Sequence, residues 1–220
     1  MKIYPSLIAA DILNLATVVA QFNTLCDGYH IDIMDGHFVP NLTWGPLFSN
    51  ALAKKTTLPL HIHLMVSDPT GIAARLTPRQ QDYIIFHYEA LRTPQDVLLT
   101  LAHLKNMHCH VGMAINPETP ISTTQPYLEH LDALLIMSVN PGASGQVFIQ
   151  NTMEKIEQLT NLRTASKPNL LLMVDGGISI KNIALLSHAG IDACAVASAI
   201  FSAFNPQEAI KELYKLASNK

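Results

Sequence analysis

Tyr29–Met34, YHIDIM, alternates strictly: His30, Asp32 and Met34 share one side of the chain, Ile31 and Ile33 the other. A period of two marks a strand. The isoleucine side is expected to pack outward on hydrophobic material. The other side carries an imidazole, a carboxylate and a thioether, not the Thr, Lys or Glu of a solvated face. Asp35-Gly36 breaks the strand, and Pro40-Asn41 marks a loop. Leu58–Val66, LPLHIHLMV, repeats the pattern, with His61, His63 and Met65 on one side and Ile62, Leu64 and Val66 on the other.

The same reading, carried along the chain, predicts strands over Lys2–Ile8, Tyr29–Met34, Leu58–Val66, Asp82–Glu89, His110–Asn116, Ala133–Asn140, Leu170–Asp175 and Ala193–Ala197. Helical spacing predicts helices over Leu13–Leu25, Pro46–Lys54, Asp68 to about Leu76, Thr93 to about Asn106, a brief one between Pro117 and Tyr127, Thr152–Thr164, Ser179–His188 and Pro206–Ala217. Prolines at 46, 69 and 94 suit first-turn positions. Eight strands thus alternate with eight helices. Several strands are apolar on both faces, as parallel strands covered on both sides should be. No linker or low-complexity stretch divides the chain. The expected fold is α/β, with residues 1–220 as a single (β/α)8 TIM barrel domain; a doubly wound open sheet is the competitor.

Composition narrows the function. Hydrophobic residues make up 49% and charged residues 14%, enough for a large core and too apolar for disorder. The net charge is −3 and no Lys/Arg run stands out, so neither nucleic acid nor a membrane is expected as a partner. Cys26, Cys109 and Cys194 form no disulfide or zinc pattern. With no signal-like segment at the start, the expected compartment is the cytoplasm. No apolar run reaches about 18 residues, the length a spanning helix needs.

In a barrel the C-terminal ends of the strands converge on one mouth. There, two imidazoles and two carboxylates can hold a divalent transition metal. No Lys or Arg lies on these strand stretches to pair the carboxylates, which argues against an internal salt-bridge cluster. Three small-residue turns follow the last strands: Pro141-Gly142-Ala143-Ser144-Gly145-Gln146, Asp175-Gly176-Gly177 and Ala197-Ser198-Ala199. Such turns let backbone N–H groups approach an anion and point to a phosphate cradle. Met34 and Met65 share the side of the candidate ligands, and Met137 is a third methionine of interest. Over a metal they would keep water from a reactive intermediate.

PSLIAAD (Pro5–Asp11), YHIDIMDGHFVPNLTWGP (Tyr29–Pro46), HLMVSDP (His63–Pro69), IMSVNPGASGQVF (Ile136–Phe148), VDGGI (Val174–Ile178) and ASAIF (Ala197–Phe201) closely resemble the ribulose-phosphate 3-epimerase family, in order and nearly end to end. The resemblance implies a ribulose-phosphate binding barrel that interconverts D-ribulose 5-phosphate and D-xylulose 5-phosphate. It implies one divalent metal ion per subunit, Zn, Fe(II), Mn or Co, held by His30, Asp32, His63 and Asp175. Asp32 and Asp175 match the acid/base pair. Ser6, His63, Gly142, Ala143, Ser144, Gly145, Asp175, Gly176, Gly177, Ala197 and Ser198 match substrate contacts. Met34, Met65 and Met137 match methionines over the reacting carbons. A homo-oligomer, dimer or hexamer, follows by the same analogy.

The chain departs from the family pattern at four places. His61 stands where Asp is usual, and is expected to alter tuning or offer the metal a spare nitrogen. Ala197-Ser198 replaces Gly-Ser, PGASG replaces PGFGG, and His87-Tyr88-Glu89 stands for His-Pro-Glu. The rival readings are an allulose-6-phosphate 3-epimerase, a metal-dependent hydrolase barrel suggested by His61-Ile62-His63, and a non-catalytic sugar-phosphate-binding barrel.

Overall fold

Proline sets the start of four helices, at Pro46, Pro69, Pro94 and Pro206, where its missing N–H costs no intrahelical bond. The computed structural model describes residues 1–218. In chain order the elements are β1 (Lys2–Pro5), α1 (Leu15–Phe22), β2 (Tyr29–Met34), α2 (Pro46–Leu52), β3 (Leu60–Met65), α3 (Pro69–Ala73), β4 (Tyr83–His87) and α4 (Pro94–Lys105). They continue with β5 (His110–Ile115), β6 (Ala133–Met137), α5 (Thr152–Ser166), β7 (Leu171–Asp175), α6 (Ile183–His188), β8 (Ala193–Val196), α7 (Ser198–Phe201) and α8 (Pro206–Ser218).

All eight strands are parallel and lie in one sheet, in the order β1-β8-β7-β6-β5-β4-β3-β2. β1 and β2, the two ends of that order, meet through a parallel bridge between Ser6 and His30. The sheet therefore curls into the expected barrel, with its weakest seam between β1 and β2. Outward side chains such as Ile31, Ile33, Leu64, Phe86, Ile136 and Val174 form the larger core with helix residues including Leu101, Ile156 and Leu213. Inward chains Tyr4, Ile85, Ala114, Leu135, Met137 and Met173 fill the barrel itself.

Three expectations need correction. The first strand ends at Pro5, because Leu7–Ala9 turn into a 3-10 segment, and a second one over Ile12–Asn14 delays α1 to Leu15. The link from β5 to β6 is a run of 3-10 turns, Ile121–His130, with Pro126 inside it. Proline removes the N–H an α-helix would need there. The helix after β7 starts at Ile183 rather than at Ser179; Asn182 Oδ1 accepts the Ser179 N–H in the connecting turn.

At the end of the barrel where the strands begin, one device recurs four times. An aspartate just ahead of each even-numbered strand accepts a backbone N–H from the preceding odd one. Asp27 takes Ile3 N–H (2.9 Å), Asp82 takes Leu60 (2.9 Å), Asp132 takes Val111 (2.8 Å) and Asp192 takes Leu172 (2.8 Å). Each carboxylate also has a side-chain partner: Tyr214, Arg79, Lys105 and Arg163 respectively. Asp82 is the most buried of the four acids. Its partner Arg79 also donates to the carbonyls of Ala53, Thr56 and Leu58.

Removing one member of a buried pair strands the other, at a cost of about 3 kcal/mol or more. Asp82→Ala is therefore expected to destabilise the fold by about 3 kcal/mol. Lys211→Ala, which breaks the exposed Lys211–Glu208 pair, should stay within about 0.5 kcal/mol. Urea unfolding of both variants checks the contrast.

Candidate active site and metal centre

The site is built from the inward positions of β2, β3 and β7. The register pairs His30 with His61, Asp32 with His63 and Met34 with Met65 across β2 and β3, and Met137 with Asp175 across β6 and β7. His30 Nε2 lies 3.1 Å from Asp32 Oδ1, 3.3 Å from His63 Nδ1 and 3.5 Å from Asp175 Oδ2. His63 Nδ1 lies 3.3 Å from Asp32 Oδ1 and 3.5 Å from Asp175 Oδ2. One donor atom from each of the four residues falls within 4.8 Å of all the others. The strand ends that carry them are pinned from above. Thr43 bonds the Asp32 carbonyl and the Met34 N–H, and Asp35 accepts Ser67 N–H from the β3 loop at 2.7 Å.

This donor set fits a divalent cation. Two neutral imidazole nitrogens and two carboxylate oxygens suit Zn, Fe(II), Mn or Co. Charge leads to the same place. The Asp32 side chain is 5% exposed and that of Asp175 15%, and the charged partners in contact with them are histidines. Burial opposes a charge on His30, but the Asp32 and Asp175 carboxylates outweigh it and raise its pKa to about 10. His63 is raised for the same reasons. Burial would protonate Asp32 and Asp175, yet the two imidazoles hold Asp32 well below the usual carboxylate range and lower Asp175 as well. Without a cation, protons on the histidines balance the acids.

Above this cluster lies a cavity. Ser6, Asp32, Met34, Met65, Met137, Gly142, Ala143, Ser144, Gly145, Asp175, Gly176, Gly177, Ala197 and Ser198 all line it. His30 and His63 do not; both are fully buried beneath it. Ser6 donates its hydroxyl to Asp32 Oδ2 at 2.6 Å, leaving Oδ1 toward the cluster. The glycines after β7 are required by space as well as by backbone angle. Gly177 has φ +62°, and a Cβ there would lie 2.5 Å from the Phe148 nitrogen. The PGASG loop is tied down: Asn41 donates to Gly142 O at 2.9 Å, and Gln146 donates to Asn140 O and Ala143 O. None of the lining residues is a lysine or arginine, so an anion there would meet N–H and O–H dipoles.

The sequence reading missed Ile8, Val139, Ile178 and Ala195 as lining residues. Their apolar or loop character gave no chemical signal. His61 is a correction: it offers no nitrogen to the cluster. It lies two residues before His63 on the same strand, about 7 Å along it. Its ring stacks on Tyr4 at 3.6 Å and meets Tyr83 edge-on at 4.7 Å. Neither ring nitrogen finds a protein partner among the described residues, and burial pushes its pKa far below the usual value.

A metal-ligating barrel with a small-residue anion cradle is the class of protein that fold and site define. Residues 2–201 match the model of the ribulose-phosphate 3 epimerase family. A ribulose-phosphate 3-epimerase of Helicobacter pylori is 37% identical over 213 residues, covering 97% of this chain and 96% of that one. One from Serratia marcescens is 39% identical, covering 90% and 94%. The chain belongs to the ribulose-phosphate 3-epimerase family, which sets aside the hydrolase reading. Among solved structures, KGPDC from Streptococcus mutans in complex with D-R5P superposes with a TM-score of 0.72 at 12% identity, covering 98% of this chain and 96% of that one. That likeness bears on the fold alone.

Metal binding requires neutral His30 and His63, whereas the two carboxylates favour the protonated form of both. Metal uptake is therefore expected to release protons and to weaken as pH falls. Titration calorimetry with Mn(II) at pH 7.5 should give enthalpies that change with the ionisation enthalpy of the buffer; buffer-independent enthalpies would refute it. The linkage has a definite sign. A His30 pKa raised from 6.5 to about 10 stabilises the metal-free fold fully below about pH 6.5 and progressively less up to about pH 10. Chelated protein should lose stability across that window.

Proposed function

We propose that this protein is a metal-dependent 3-epimerase interconverting D-ribulose 5-phosphate and D-xylulose 5-phosphate. One observation carries the reading: Asp32 and Asp175 each give one oxygen to the four-donor cluster while both line the same cavity. Inverting the carbon beside a ketone needs a proton removed from one face and another delivered to the opposite face. A single side chain cannot serve both faces, and Asp32 and Asp175, from β2 and β7, are the two candidates. One would take the proton and the other return one, the roles exchanging with direction.

His30, Asp32, His63 and Asp175 would hold the ion, which supplies Lewis-acid stabilisation of the negative charge that develops on substrate oxygens. The Ser6 hydroxyl orients Asp32 by occupying Oδ2. Met34, Met65 and Met137 give the cavity an apolar lining that limits water near the carbanion-like intermediate. Gly142, Ala143, Ser144, Gly145, Gly176, Gly177, Ala197 and Ser198 would bind the phosphate through backbone N–H groups and the Ser198 hydroxyl. This anchoring fixes the register of the sugar.

The reading takes residues 1–220 as one domain, supported by eight strands of a single sheet running from Lys2 to Val196. Among the described residues no helix is long and apolar enough to cross a membrane, and Cys26, Cys109 and Cys194 are free. Both agree with a cytoplasmic site. A dimer or hexamer is supported by family analogy and by exposed Leu13, Leu47 and Phe204.

Asp32→Asn and Asp175→Asn are each expected to lower kcat by about 10²–10⁴-fold, measured as conversion of ribulose 5-phosphate with Mn(II) supplied. Wild-type protein that prefers a hexulose 6-phosphate would overturn the substrate assignment. Ser198→Ala, which removes one anion donor, should raise KM about tenfold while leaving kcat near wild type.

A further inference from the structure

The two candidate histidine ligands are held differently behind the cluster. His30 Nδ1, the nitrogen facing away from it, has no protein partner among the described residues. His63 Nε2 is 2.9 Å from Nε2 of His87, at the end of β4. The ring planes lie within 22° of each other with centroids 4.9 Å apart. Nitrogens so much closer than centroids mean that the rings meet edge to edge, in hydrogen-bonding geometry, not face to face. His87 Nδ1 is in turn 3.1 Å from Glu89 Oε2. Glu89 Oε1 accepts the Asn116 N–H at 2.7 Å and the Thr119 hydroxyl. Lys155 of α5 fixes that turn by donating to the carbonyls of Asn116, Pro117 and Thr119 at 3.0, 2.7 and 2.6 Å.

We propose that Glu89 and His87 are positioning residues that dictate which nitrogen of His63 carries its proton, and through it the affinity of the site for its metal. This rests on the reading of His63 as a ligand. The carboxylate of Glu89 can only accept, so His87 must carry a proton on Nδ1. Neutral His87 then presents a lone pair at Nε2, and His63 must answer with an N–H at its own Nε2. That leaves the lone pair of His63 on Nδ1, the atom aimed at the cluster. Each bond in the series runs one way: His63 donates to His87, and His87 donates to Glu89. Partners of this kind, behind a ligating histidine, typically govern metal affinity by 10–100-fold.

Glu89→Gln reverses the series without changing size. The Asn116 N–H cannot turn around, so the amide oxygen of the variant must face it, and the NH₂ group must face His87 Nδ1. His87 then accepts at Nδ1 and carries its proton on Nε2, against His63. His63 must accept there and move its own proton to Nδ1, where the metal needs a lone pair.

The test is the dissociation constant for Zn(II) alone, measured by competition with a chromophoric chelator. It is joined by ¹⁵N NMR assignment of the tautomers of His63 and His87 in the Zn-loaded wild type. The expected results are a Kd raised about 10–100-fold in Glu89→Gln, with chelated variant and wild type unfolding within a few degrees of each other. In the wild type, protons should sit on His87 Nδ1 and His63 Nε2. A folded Glu89→Gln protein with wild-type Kd would overturn the proposal. So would a proton on His87 Nε2 in the wild type, a measurement that stands even if the variant does not fold. A wild type that takes up no Zn(II) would instead overturn the metal-centre reading beneath it.

Discussion

Two carboxylates, Asp32 and Asp175, lie in the barrel interior with histidines as their charged partners. That is the constraint on which the rest depends. Uncompensated buried charge costs several kcal/mol per ion even after relaxation. A fold of marginal stability cannot carry two such acids unless positive charge is supplied on the spot. The two imidazoles can supply it as protons, and a divalent cation can supply it as a ligand-bound charge. The same four side chains can serve both states, so protons and a divalent cation compete for them.

The opposite end of the barrel also carries aspartates, with other partners. Asp27, Asp82, Asp132 and Asp192 each accept a strand N–H and receive a hydroxyl or a cationic side chain. These acids are structural: they cross-link neighbouring strands. Asp32 and Asp175 have histidines as partners, whose charge depends on protonation. The seam between β1 and β2 belongs to this division. Ser6 bridges it beside His30 and donates to Asp32, so the weakest join in the sheet is also held by a contact of the site.

Much of this was legible in the sequence because period-two alternation survives burial. YHIDIM and LPLHIHLMV showed the strands and their polar faces, and the selection of His30, Asp32, His63 and Asp175 as the cluster came from the resemblance to the family. Local competition hid other features. Pro126 forced 3-10 turns where a helix was expected, and 3-10 segments trimmed the first strand and helix. His61 looked like a spare ligand because alternation gives the face of a strand and not the depth along it. It sits a level lower, among Tyr4 and Tyr83. The link from Glu89 to His63 through His87 was not legible either: it joins the ends of neighbouring strands, and a single sequence carries no register between them.

The absence of lysine and arginine from the cavity lining follows from the same constraint. A cationic side chain is a common way to bind phosphate. Asp32 and Asp175 both line the cavity, so a cation placed there would stand near both carboxylates. At an effective dielectric of ~20, unit charges ~8 Å apart interact by about 2 kcal/mol. A lysine there would repel a divalent ion about twice as strongly as it attracts either acid alone, and about as strongly as it attracts the two together, since the interaction scales with charge. Backbone N–H groups avoid this. They are fixed dipoles whose effect falls off faster with distance than that of a full charge, so they can hold an anion at one side of the cavity and leave the metal side alone. The method demands close backbone approach, and hence glycine. Gly176 and Gly177 have φ of +112° and +62°, and a Cβ at either would collide with Val139 or Phe148. The glycine turns and the cluster are thus coupled: the cradle uses backbone because the acids next to it must keep their charge for the metal.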